Sequence, residues 1–172
     1  ILSDAEWRVQ SSEGWFANMP YGKRDHWWSQ RFSYFFEQDS VNQSLLPVAR
    51  FVGSVAVKKG TAVGVFSSLR VWPSNHDSWL IATVLKQAIS YSSGLPPDGT
   101  ILWIEKEDSE VLTTLVHLAM ISGWDFEIYC DKRELQVDIG HDGMIEFFVG
   151  ETSISLVDEF LHETGRHPKV HG

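Results

Sequence analysis

The chain has 172 residues, 19.6 kDa, 43% hydrophobic and 22% charged residues, the balance of one ordinary folded domain. Such a composition excludes disorder over most of its length, because disordered chains lack the apolar surface that offsets ordering entropy. Apolar runs far below the ~20 residues that cross a bilayer exclude a transmembrane helix, and one cysteine, Cys130, excludes an internal disulfide framework.

The net charge of −9 is unevenly spread. Up to Pro97 there are 9 basic and 7 acidic residues; from Asp98 on there are 5 and 16. The acidic half repels phosphate backbones and anionic lipid and attracts cationic partners. Eight tryptophans are more than double ordinary usage. Tryptophan is mostly a core residue but is also enriched at binding hot spots.

Ser3-Asp4-Ala5-Glu6 matches a capping box and predicts a short helix through about Ser11. Gly14 to Gln30 reads as irregular and aromatic. Arg31 to Glu37 alternates, with Phe32, Tyr34 and Phe36 on one face, and predicts a strand. Pro47 to Val57 is apolar and β-branched. With a turn at Lys58-Lys59-Gly60 and a strand over Thr61 to Val71, it suggests a hairpin. A helix is expected from about Asn75 to Tyr91, stopped by Gly94 and Pro96.

Ser92 to Gly99 is the one internal seam, and it coincides with the charge switch. Its length is that of a loop rather than a linker. The expected organisation is one domain over residues 1–172, with subregions 1–93 and 100–172 joined by this Pro/Gly loop.

Thr100 to Glu105 predicts a strand, and Ser109 to Ser122 a helix ended by Gly123. Asp125 to Cys130, Glu134 to Ile139 and Met144 to Val149 predict a three-stranded meander. Its second turn holds Asp142-Gly143, a hairpin dipeptide. Ile154 to Glu163 predicts a terminal helix with an inward stripe of Leu156, Val157, Phe160 and Leu161. The expected class is α+β: an antiparallel sheet, about four helices packed on one face, and a C-terminal meander followed by a terminal helix.

Motifs that carry chemistry are missing. There is no GxSxG, GxGxxG, HExxH or CxxC, and Lys58-Lys59-Gly60-Thr61 lacks the order of a phosphate loop. His76-Asp77 and His141-Asp142 are the His-Asp pairs, but adjacent residues point apart, and helix capping and a hairpin turn account for them. His162, His167 and His171 lack the spacing of a helical metal pair, so no metal site and no cofactor is expected. Cys130 reads as a buried structural thiol. The segment Tyr21 to Trp28 interleaves basic and aromatic residues and suits a protein contact more than nucleic acid.

Alternation places Asp125 and Glu127 on one strand face, and Glu134 and Asp138 likewise. The meander is therefore expected to expose an acidic face and bury an apolar one. Asp125, Glu127, Glu134 and Asp138, with Trp27 and Trp28, are the expected partner-binding residues. No catalytic residue is assigned. The leading reading is a cytoplasmic, non-enzymatic acidic domain of the inhibitor or immunity kind that binds a basic effector protein and no membrane. Two alternatives stand beside it: a subunit of a larger assembly that buries Trp27, Trp28 and Trp72, and an enzyme in which His76, Asp77, His141 and Asp142 converge.

Overall fold

A computed structural model describes residues 28–36, 45–58, 60–68, 100–130 and 135–171. Seven strands form one antiparallel sheet: β1 (Gln30–Phe35), β2 (Ala62–Ser68), β3 (Thr100–Ile104), β4 (Asp125–Cys130), β5 (Leu135–Ile139), β6 (Met144–Val149) and β7 (Lys169–His171). Their order across the sheet is β3-β2-β4-β5-β6-β1-β7. Three α-helices are found among the described residues: α1 (Leu45–Ala56), α2 (Ser109–Ser122) and α3 (Leu156–Thr164).

The chain is thus α+β on an antiparallel sheet, and several expectations need correcting. Pro47 to Val57 is not a strand, and no hairpin joins it to β2. All of it but Val57 lies in α1, where buried Leu45, Val48, Ala49, Val52, Val55 and Ala56 recur at helical spacing. Pro47, Arg50 and Ser54 form the exposed stripe. Pro47 sits in the first turn, where its missing N–H costs nothing. The 3.6-residue period prevails over β-branched composition. The helices expected near Asp4 to Ser11 and Asn75 to Tyr91, and the Ser92 to Gly99 loop, lie outside the described residues.

The meander also takes a different form. β4, β5 and β6 do pair in chain order, but they are the middle of a wider sheet. The helix after them is not terminal. α3 starts at Leu156, behind a 3-10 turn at Glu151–Ser153, and Gly165 ends it in a left-handed conformation (φ 64°). The chain then adds β7 beside β1. Leu161, expected inside, is exposed.

One sheet face carries the core. Phe32, Phe66, Phe126, Ile128, Val137, Ile145 and Phe147 project there against Phe51 and Val52 of α1, Leu112 and Leu115 of α2, and Leu156 and Phe160 of α3. Phe32 stacks on Phe147 with centroids 4.5 Å apart, and Phe51 meets Phe160 edge-on at 5.2 Å. Both are favoured arrangements of aromatic rings. α1 and α2 touch at Gly53. A Cβ there would clash with the Thr113 hydroxyl and lie 3.0 Å from the Ser109 carbonyl. Glycine is what permits this approach.

Candidate functional site

Successive residues of a strand alternate between faces, so the core fixes what the opposite face must carry. Register aligns it in two rows. One runs Glu127, Asp138, Glu146, Ser33, Lys169 across β4, β5, β6, β1 and β7. The next runs Tyr129, Gln136, Phe148, Arg31, His171 across the same strands. Directly opposed side chains have Cβ atoms about 4.5–5.5 Å apart, so each row is a set of touching neighbours.

Three adjacent carboxylates in a row repel one another unless charge or hydrogen bonds intervene. Here both do. The Arg31 guanidinium donates to Glu146 through Nε at 2.8 Å and also through Nη2, and it lies 5.6 Å from the Phe148 ring centroid. The Tyr129 hydroxyl donates to Glu127. The Gln136 amide donates to Asp138 at 2.8 Å. On β1 and β7, the Ser33 hydroxyl meets His171 Nε2 at 2.8 Å.

This face is less open than alternation implies. Asp125, Glu127 and Asp138 are half-buried, and Gln136 is 2% exposed. Val63, Val65 and Phe148 point the same way and are buried, although they stand outside the main core cluster. The expected exposed acidic face is a half-buried one that mixes carboxylates with apolar side chains. Trp28 belongs beside it, half-buried with its ring 5.6 Å from Phe148. Trp27 and Glu134 lie outside the described residues, as do Trp72, His76 and Asp77.

The His–acid contact that forms is not the one adjacency suggested. His141 turns to Asp125, on a different strand: backbone N–H and ring Nδ1 both lie 2.8 Å from Asp125 Oδ1. Asp142 instead accepts from the Met144 amide at 3.2 Å and shapes the β5–β6 turn. The structure thus joins Asp125 to His141 and aligns Glu127 with Asp138. Sequence reasoning missed Arg31, Ser33, Glu146 and His171. The alternation of β1 and β6 pointed to Arg31, Ser33 and Glu146, whereas His171 lies on the unexpected β7; only the pairing of β1 with β6 and β7 brings them to the acidic row.

Among the described residues, no group of three or more His, Cys, Asp or Glu is placed to hold a metal. His162 and His167 are exposed, while His171 is tied to Ser33. A shallow apolar cleft of about 80 Å³ lies between α1, the end of β4 and the start of α3. Buried Cys130, Leu135 and Leu156 line it, and a Lys58–Glu159 ion pair of 3.2 Å stands at its rim. No described helix is long and apolar enough to cross a membrane.

The chain matches no protein-family model, no curated protein and no solved structure.

Proposed function

We propose that the chain is an acidic protein-binding domain, of the kind that masks a basic effector, and that the Glu127–Asp138–Glu146 row receives a cationic segment of its partner. One observation carries the reading: three neighbouring strands present a carboxylate at the same level of the sheet. A cationic side chain laid across that row would be attracted by all three carboxylates in a half-buried setting, where salt screens poorly. The acidic balance from Asp98 on adds long-range attraction, which speeds association with a basic protein. Half-buried Trp28 and Phe148 beside the row supply the aromatic surface common at interface centres. A cytoplasmic location is part of the proposal, since a chain with one cysteine needs no oxidising compartment.

The test uses the isosteric variant Glu127→Gln/Asp138→Asn, which keeps shape and removes charge. Wild type and variant serve as bait in lysate of the source cells at about 50 mM and about 500 mM salt, screening lengths on either side of physiological. A basic protein held by wild type at low salt, released at high salt and lost by a variant with unchanged circular dichroism is the expected result. Equal capture by the folded variant would remove the acidic row from the proposal.

A further inference from the structure

We infer that the β7 edge of the sheet is an oxyanion site whose ligand is a phosphate group. It adjoins the acidic row at the Arg31–Glu146 pair, but its ligand and its test are independent of the partner proposed there. Along the same sheet face, the charge changes sign in strand order. β4, β5 and β6 contribute Glu127, Asp138 and Glu146; β1 and β7 contribute Arg31, Lys169 and His171. In a chain of net charge −9, this corner gathers Arg31, Lys169 and His171.

The donors are arranged by pairing. Arg31 stands opposite His171, and Ser33 opposite Lys169, so the four side chains form a square on two neighbouring strands. Ser33 is 2% exposed, and its hydroxyl is engaged with His171 Nε2. When that hydroxyl donates, the imidazole proton resides on Nδ1; when Nε2 donates to the hydroxyl instead, Nδ1 is an acceptor. The tautomer with its proton on Nδ1 is the one that serves an anion. The ammonium of Lys169 is exposed and makes no ion pair among the described residues. Arg31 uses Nε and Nη2 on Glu146, and its side chain remains 37% exposed. Its Nη1 is the remaining arm of the guanidinium fork.

Imidazole, ammonium and guanidinium N–H groups around one hydroxyl suit the three terminal oxygens of a phosphate better than the two of a carboxylate. The Glu146 carboxylate paired with Arg31 opposes an anion, so the expected binding is weak.

Inorganic phosphate is the probe, titrated at constant ionic strength against chloride and followed by the backbone amide NMR signals of Arg31 and Lys169 to His171. A saturable shift confined to β1 and β7 is expected. Lys169→Glu should weaken it about tenfold or more, and Lys169→Arg should retain it; both changes are at an exposed position, so the fold is kept. A phosphate monoester shifting the same signals supports the site as one for phosphorylated ligands. Shifts that chloride reproduces, or that survive Lys169→Glu, overturn the site. Acetate binding as tightly as phosphate overturns the assignment to phosphate.

Discussion

Phe147 and Phe148 are consecutive residues of β6, both almost wholly buried, and they belong to different worlds. Phe147 enters a cluster of Phe32, Phe51 and Phe160, where rings meet rings. Phe148 lies on the opposite face between the Trp28 ring and the Arg31 guanidinium. The helix-covered face is apolar throughout and sets the fold. The other face mixes Val63, Val65 and Phe148 with carboxylates, an amide and a guanidinium, each bonded to a neighbour. Burial alone therefore does not distinguish core from site; the chemistry of the neighbours does.

Substitution separates the faces. Phe147→Ala should cost about 4 kcal/mol, the range for removing a core aromatic and leaving a cavity. Urea unfolding measures it, and a loss under about 1 kcal/mol would deny the core assignment. Phe148→Ala should cost less, about 2 kcal/mol, because one side of its ring meets polar groups that water can replace. A Phe148 loss equal to that of Phe147 would make the second face a second core.

The smallest expected effect concerns His117 of α2. Burial lowers its pKa from the usual 6.5, so the unfolded chain binds this proton more readily than the folded one. Its contribution to stability is intact above 6.5 and falls as pH drops through 6.5 toward the lowered folded value. The urea midpoint should be lower at about pH 5.5 than at about pH 7.5, on either side of histidine titration. His117→Gln should narrow that gap; an unchanged gap would assign the pH dependence elsewhere.

Much of the architecture was legible in local signals. Asp125–Cys130 and Met144–Val149 alternate cleanly, and Asp142-Gly143 joins β6 to its neighbour as hairpin chemistry requires. α2 runs over its expected span because Gly123, at φ 62°, supplies the left-handed stop. α1 was misread because Val48, Val52 and Val55 are β-branched, while their spacing of three and four is helical. The site was half legible. Glu127 and Asp138 follow from parity within one meander. Arg31, Ser33 and His171 reach it only through pairings of residues more than a hundred positions apart, which no local pattern encodes.

The place of β1 in the strand order has a kinetic side. β1 is the first described strand, yet it is hydrogen-bonded only to β6 and β7, the last two. During synthesis it has no sheet partner until nearly the whole described chain exists. Loop-closure entropy over such a separation must be met before these contacts stabilise anything, and folds built this way form slowly. Meanwhile β2, α2, β4 and β5 can assemble by shorter-range contacts. Closing the sheet with β1 is then also the step that carries Arg31 and Ser33 to Glu146 and His171, so assembly of the fold and assembly of the charged face end together.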